Sequence, residues 1–483
     1  MPFQIPTIDL VPIAAPLVLV AWATALLLID LFVNNKRVTG YLALAGLGVA
    51  AAVTMALWNV PARSAFANMV LHDSTAIAID LILILITAVS ILLAMDYLRR
   101  QDIEMGEFYP LLLFTTAAMM IMGHGRNLIV LFLALEWLSI GLYVLTGFAY
   151  PKLRSQEAAM KYLLYGSFAA GFLIYGIAVM YGTTGTADLV EIANRLSANE
   201  ALGTSPGLLI GVGLLLIGFG YKISMAPFHM WTPDVYEGAP TPVTAYMSAA
   251  TKVAGFAALL RVFQLALPEL INVWAGPVAV LAALTMVIGN VSAVVQSNIK
   301  RMLAYSSIAH AGFILCAFVA LQQELAIGGL LYYLLAYSLT NVGAFAVVIA
   351  LEQAGEERFD IANLAGMGWR HPVLGITMAL FMLSLAGIPP LPGFFAKFLV
   401  FFAAYQAGYW WLVLIGLLTS IVSAFYYLRI IVNMYMRDET EAARSFVTSP
   451  LRLGVAFATV LLLAQLPLLN VVLDFGQTLL SSR

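Results

Sequence analysis

The sequence predicts an all-α polytopic membrane protein that crosses the bilayer about fourteen times, organised as two inverted five-helix repeats. Three observations carry that prediction. Apolar residues make up 62% of the 483-residue chain and charged residues only 10%, a balance found in polytopic membrane proteins. Apolar windows of about 20 residues, the length that crosses a hydrocarbon core, recur along the whole chain. Two of those windows are interrupted by proline clusters at corresponding places, the sequence mark of an inverted-repeat transporter.

The windows fall at 11–33, 40–60, 74–95, 108–123, 127–149, 158–182, 207–226, 241–264, 270–296, 303–321, 326–351, 372–404, 408–434 and 451–474. They are numbered below as spans 1 to 14. An even number puts both termini on one side. Alternate loops carry Lys36 and Arg37, Arg99 and Arg100, Lys152 and Arg154, Lys300 and Arg301, Arg358 and Arg370, then Arg437, Arg444 and Arg452. The opposite loops hold little beyond Arg63, Arg126 and Arg195. Cytoplasmic loops are the Lys/Arg-rich ones, so both termini are expected on the non-cytoplasmic side.

Span 7 runs into APFHMWTPDVYEGAPTP, with Pro227, Pro233, Pro240 and Pro242, and span 12 contains GIPPLPGFF, with Pro389, Pro390 and Pro392. Proline removes a helical donor and clashes with the preceding turn. Each helix is therefore expected to break. Irregular backbone at membrane depth is tolerated only inside protein or beside a water-filled cavity. The repeats would be spans 4–8 (105–265) and 9–13 (268–436), with the broken helix fourth in each. A three-helix segment (1–100) and a last helix (450–483) flank them in one membrane domain (1–483).

Several function classes are disfavoured. A net charge of −2 gives no basic footprint for nucleic acid. The single cysteine, Cys316, allows neither an internal disulfide nor a thiolate metal cage. The opening MPFQIPTIDL has no basic stretch before its apolar run, so a cleaved signal peptide is not expected. A phosphate-binding GxxxxGK[ST] loop, a CxxC cluster and histidine pairs with haem or zinc spacing are all missing from the sequence. No metal or redox cofactor is expected in this chain.

What stands out is charge inside the spans. Of seven lysines, four lie in apolar stretches: Lys161, Lys222, Lys252 and Lys397. Glu136 lies near the middle of span 5. Each such burial costs about 2.5–3.5 kcal/mol on insertion scales, and ionisable groups at that depth usually mark an ion or proton path. Lys222, just before the first break, is the natural partner for Glu136. At about 6 Å and an effective dielectric near 20 the two would attract by about 3 kcal/mol. A movable counter-charge could then switch the lysine, whereas a fixed one would make a structural ion pair. Lys252 stands at the centre of span 8 with no acid on its helix, too deep to snorkel. Lys397 follows the second break and echoes Lys222. Glu157 and Lys161 form an i,i+4 pair, worth a few tenths of a kcal/mol when exposed. His229, in the first break, and His310, in span 10, titrate near neutral pH. Asp80 reads as a capping or interfacial acid.

The segment GYKISMAPFHMWTPDVYEGAPTPVTAYMSAATKVA (Gly220–Ala254), then NIKRMLAYSSIAHAG (Asn298–Gly312) and LAGIPPLPGFFAKF, resemble the antiporter-like membrane subunits of respiratory complex I. The lysine in span 8 resembles the subunit N type. The resemblance covers essentially the whole chain, and these subunits are related to those of multisubunit cation/proton antiporters. It implies fourteen helices with broken helices 7 and 12, a Glu136–Lys222 pair, a central Lys252, a distal Lys397, and Lys161 in span 6. It implies proton translocation driven by quinone reduction elsewhere, with FMN, iron–sulfur clusters and quinone held by other subunits. Partners would be an M-type subunit, small subunits of K and J type, and lipids of a bacterial inner membrane. The subunit L type carries a long lateral helix after span 14, whereas this chain runs only to Arg483. The M type has glutamate where Lys397 stands. The photosynthetic form of the complex uses a closely similar subunit. Two rivals remain: an antiporter subunit without redox partners, and a non-transporting structural subunit. Sodium prefers additional oxygen ligands, which a lysine-dominated interior does not supply.

Overall fold

A computed structural model describes residues 9–352, 359–438 and 448–481. Arg358 and Arg444 of the basic loops lie outside the described residues, as do most of the opening residues and the extreme C-terminus. The helices are α1 (Ala14–Asp30), α2 (Lys36–Ala56), α3 (Ser74–Arg100), α4 (Phe108–His124), α5 (Leu128–Thr146), α6 (Leu153–Thr184), the short α7 (Leu189–Ala198) and α8 (Glu200–Gly203), α9 (Pro206–Lys222) and α10 (Trp231–Gly238). There follow α11 (Thr241–Arg261), α12 (Ile271–Val294), α13 (Ile299–Phe318), α14 (Glu324–Leu351), α15 (Met367–Arg370), α16 (Pro372–Ala386), α17 (Pro392–Gln406), α18 (Trp410–Met436) and α19 (Ser449–Ser481). Among the described residues, eleven helices are long and apolar enough to cross a membrane, and three shorter apolar ones, α4, α9 and α16, complete the set. These match the fourteen windows one for one. A small hairpin of β1 (Arg63–Ala65) and β2 (Val70–His72) was not legible in the sequence.

Both breaks form where the prolines predict. In span 7, α9 ends at Lys222 and α10 starts at Trp231, with Ser224 at φ 62° between them. In span 12, α16 ends at Ala386, Gly387 turns at φ 84°, and α17 starts at Pro392. Several prolines begin helices instead of breaking them. Pro392 occupies the first position of α17 and Pro242 the first turn of α11, where the missing N–H has no helical acceptor to lose.

The inverted repeat is visible in the backbone. Asn127 caps α5 and bridges to Asp188, while Asn298 caps α13 and bridges to Asp360. Leu128 N donates to Ala187 O at 2.9 Å and Leu189 N to Arg126 O at 2.9 Å; Ile299 N donates to Phe359 O at 2.7 Å and Ile361 N to Ser297 O at 2.8 Å. These are the same contacts at the start of the second helix of each repeat. The first set lies on the face opposite the basic loops, the second on the basic face.

Burial is uneven, and that places the interior. The membrane window of α11 is wholly buried, and α13 and α14 nearly so, whereas only about a third of the windows of α1, α6, α18 and α19 is buried. Helix α3 packs on α11 and α14, one from each repeat, and on α19. The N-terminal segment therefore contributes a central helix.

Candidate functional site: a polar axis at mid-membrane

Lys222 closes α9 at the first break, its side chain buried. Its Nζ donates to Ser139 Oγ at 2.9 Å and to Tyr162 Oη at 3.2 Å, and lies 5.3 Å from the centre of the Tyr162 ring. A cavity of about 10 Å³ beside it, lined by Ser139, Tyr143, Gly166, Tyr221 and Lys222 among others, has room for about one water. The counter-charge expected at Glu136 makes no direct contact with Lys222. Glu136 is half-buried on α5, no salt-bridge contact joins the two, and its charge acts on Lys222 only through space. Ser139, one turn on, takes the direct contact with the lysine instead.

The other two lysines share a device. Lys252, fully buried at the centre of α11, donates from Nζ to Ile223 O at 2.8 Å. Lys397, on α17 and 5% exposed, donates to Ala386 O at 3.0 Å. Both acceptors are carbonyls at the C-terminal end of a half-helix, freed by the break. Lys397, on the broken fourth span of its repeat, thus shares its kind of contact with Lys252 on the fifth span of the other, whereas Lys222 precedes its break and contacts side-chain hydroxyls. Lys397 does not snorkel. Its Nζ lies 4.8 Å from the centre of the Phe313 ring and borders a largely apolar cavity of about 380 Å³. Glycine permits both approaches. A Cβ at Gly255 would sit 2.7 Å from Ile223 Cγ2, and one at Gly387 3.0 Å from Lys397 Cδ.

His310 is held by two tyrosines within reach of the lysines' charge. Its Nδ1 lies 2.7 Å from Tyr333 Oη and its Nε2 3.1 Å from Tyr427 Oη, and Tyr427 is hydrogen-bonded in turn to Ser306. The charges of both Lys252 and Lys397 reach it. The repeat explains the pairing. Counted from the capping asparagines Asn127 and Asn298, Ser139 and His310 occupy the same step; counted from the starts of α6 and α14, so do Tyr162 and Tyr333. One repeat uses these positions to hold a lysine, the other to hold an imidazole.

Lys161 belongs to a different setting. It donates to Glu157 and to Asp234, both at 2.8 Å, and Asp234 also takes Arg301 at 2.6 Å. Arg301 reaches Glu237 at 2.9 Å. This half-exposed network ties α10 to α6 and α13 on the basic face, around a polar cavity of about 230 Å³. His229 sits half-buried in the first break, its Nδ1 with no hydrogen-bond partner in the protein. It is not drawn into the lysine contacts.

Residues that the sequence reading missed include Ser139, Tyr162, Tyr333 and Tyr427, whose types are too common in helices to signal. A second group lies at the end of α3 opposite the basic face. Asp73, not Asp80, caps α3, its Oδ1 accepting from Ala76 N at 2.8 Å. Asp80 is buried and 3.0 Å from His124 Nε2, so the expectation of a capping or interfacial acid is corrected. Burial pushes the Asp73 carboxyl up, but the charge and hydrogen bonds of Arg261 outweigh it and hold the group below its ordinary value. Among the described residues no three His, Cys, Asp or Glu side chains gather as a metal site.

The family described as NADH:quinone oxidoreductase/Mrp antiporter, TM, matches residues 125–423, which contain Glu136, Lys222, Lys252, His310 and Lys397. Subunit N 1 of the NADH-quinone oxidoreductase of Herpetosiphon aurantiacus is 49% identical over 99% of this chain and 98% of its own. A chain of respiratory complex I from Thermus thermophilus superposes with a TM-score of 0.80 at 36% identity, covering 95% of this chain and 98% of that one. A chain of the Mrp complex from a Dietzia species shares the fold, with a TM-score of 0.83 at 19% identity over 97% of each. This chain belongs to the subunit N family of NADH-quinone oxidoreductases, within the wider group of antiporter-like membrane subunits.

Proposed function

We propose that this chain is the proton-translocating, antiporter-like subunit N of an NADH:quinone oxidoreductase, with no electron-transfer site of its own. Its relatives carry that name over nearly their full length. The observation that carries the transport reading is how the buried lysines are held. Lys222, Lys252 and Lys397 rest on hydroxyl and carbonyl oxygens, not on carboxylates. Such partners accept a lysine in either charge state, which a proton carrier needs and a structural ion pair does not. In this reading Lys161 and His229 lie on the uptake side, and protons pass by Glu136 and Lys222 to Lys252, His310 and Lys397. Moving one charge against 100 mV takes about 2.3 kcal/mol, within reach of one charge-assisted hydrogen bond made or broken.

The finer assignments follow the same reading. The basic face is cytoplasmic, which puts both termini on the periplasmic side of the inner membrane. Residues 105–265 and 268–436 act as the two half-channels. The M-type, K-type and J-type subunits are neighbours, and FMN, iron–sulfur clusters and quinone belong to partner subunits. The test is Lys222→Ala in membranes, with assembly followed on a native gel. Assembled complex with quinone reduction and proton pumping both sharply reduced is the expected outcome; near-normal pumping refutes the assignment.

A further inference from the structure

Outside the lysine axis, one gathering of buried ionisable groups lies at the end of α3, α4 and α11 beneath the β1–β2 hairpin. Two acid–base pairs lie side by side there, and they differ. The Asp73–Arg261 pair is saturated. Arg261 donates through Nη1 and Nη2 to the two Asp73 oxygens at 2.5 and 2.6 Å and through Nε to Gly123 O at 2.7 Å, while Asp73 also caps α3. The Asp80–His124 pair shares a single contact of 3.0 Å between side chains 2% and 3% exposed. Asp80 Oδ1 and His124 Nδ1 have no hydrogen-bond partner in the protein. Nor has Nδ1 of His72, whose ring stacks on that of His124 with centroids 6.3 Å apart.

An orphaned buried polar atom costs about 1–3 kcal/mol, a cost the Asp73–Arg261 pair avoids. The open pair keeps one acceptor and one ring nitrogen available for exchange. We propose that Asp80 and His124 form a second proton-holding site, on the outer side of the membrane, through which protons leave the lysine axis. This rests on the proton-path reading above.

Hydroxyls lead part of the way. On α11, the helix of Lys252, Tyr246 Oη lies 2.8 Å from Thr116 Oγ1 of α4, which lies 2.9 Å from Thr87 Oγ1 of α3. Asp80 is two turns further out on the same face of α3, about 10 Å along the axis, a step left to water. A proton reaching Asp80 Oδ1 neutralises the carboxyl, and rotation of the carboxyl brings it to the bare Nε2 of a His124 protonated at Nδ1, giving the imidazolium. Release of the Nδ1 proton to water beside His72 leaves the Nε2–H tautomer, and exchange through that water returns the proton to Nδ1 and restores the pair, with no heavy-atom bond changed and no electron moved. The other charged or titratable groups facing the pair are His72 of the hairpin, Asp73 at the α3 cap and Arg261 of α11. Burial holds His72 below the ordinary imidazole value, so it passes protons more readily than it stores them.

The experiment uses the whole complex in proteoliposomes, where NADH reaches only molecules whose outer face meets the lumen. With the membrane potential collapsed, wild-type turnover should change with lumen pH. His124→Gln and Asp80→Asn should slow pumping about tenfold, less than the roughly 10²–10⁴ that a positioned acid–base group contributes because water substitutes in part, and flatten that profile. Asp80→Glu should restore it. An assembled His124→Gln complex with wild-type rate and an unchanged lumen-pH profile overturns the proposal. Lys252→Met, run in parallel, separates the two readings. If it pumps normally, the lysine axis falls; if it fails while His124→Gln pumps normally, only the outer site falls. Should neither pair variant assemble, wild-type turnover that ignores lumen pH overturns the proposal.

Discussion

Replacing Ser139 by alanine isolates the setting of Lys222 with little change in volume. Ser139 Oγ accepts one of the two hydrogen bonds that Lys222 Nζ makes, at 2.9 Å, and the remaining one, to Tyr162, is longer at 3.2 Å. A hydrogen bond to a charged group is worth about 1.5–3 kcal/mol. Every step that passes through the protonated lysine should therefore slow by about 10- to 150-fold, at 1.36 kcal/mol per factor of ten. The neighbouring cavity of about 10 Å³ would grow by the lost hydroxyl, and a water settling there returns part of the loss. The expectation is thus the lower end, about tenfold. The assay is NADH-driven quinone reduction together with pH-gradient formation in inverted vesicles, with assembly checked on a native gel. Ser139→Thr, which keeps the hydroxyl, should retain most of both rates. An assembled Ser139→Ala complex with both rates within about twofold of wild type would refute the reasoning, since Lys222 would then not need its hydroxyl shell.

Three further outcomes are expected. Gly387→Ala places a Cβ at φ 84° and 3.0 Å from Lys397 Cδ; the left-handed backbone alone costs about 1–2 kcal/mol, so heat inactivation of the detergent-solubilised complex should come measurably earlier. Asp73→Asn leaves Arg261, 1% exposed, without its anion, a loss of about 3–5 kcal/mol that native gels should register as reduced assembly. The Asp73 carboxyl is depressed in the folded chain, so its contribution is present above the unfolded value of about 3.9 and fades as pH falls through the lower folded value; the variant should lack that acid-dependent loss. Asp234→Asn, by contrast, breaks ion pairs whose side chains are more than a third exposed on the Lys161 and Asp234 sides. Such pairs are worth at most about 1 kcal/mol each, so thermal stability should fall slightly, and the difference should shrink in high salt.

Hydropathy and proline were enough to place the spans and both breaks, because crossing a bilayer demands length and apolarity, and proline removes helical donors wherever the helix lies. The buried lysines were legible for the same reason: a charge in an apolar run is rare. Rotation about each helix axis was not legible. Glu136 and Ser139 lie one turn apart on α5, and nothing in the sequence says that the serine is the one facing Lys222. Lys252 gave no hint of a partner because its acceptor, Ile223 O, is backbone, and every residue has a carbonyl. His124 ends α4 in the run GHGRN, a place where histidine is unremarkable. Only the packing of α3 against α4 brings it to Asp80. The central position of α3 was hidden likewise, since an amphipathic stripe hardly exists on a helix buried from all sides.

The breaks and the lysines make each other tolerable. A helix that stops at mid-membrane leaves carbonyls without helical donors and concentrates about half a negative charge at its end. In hydrocarbon each unsatisfied group costs several kcal/mol. Because the repeats are inverted, α9 and α16 run toward the membrane centre from opposite faces, so both negative ends point inward. Lys252 meets the first at Ile223 O and Lys397 the second at Ala386 O. A neutral amine still donates an N–H, so either lysine can lose its proton without orphaning the carbonyl; only the attraction between full charge and dipole is given up. Lys222 achieves the same end differently. The hydroxyls of Ser139 and Tyr162 can accept from the ammonium or, by rotating, donate to the amine. Arg261, locked bidentate on Asp73, has no such second state. That contrast, between cations held by partners indifferent to the proton and one held by a carboxylate, separates the groups suited to carrying protons from the one suited to holding helices together.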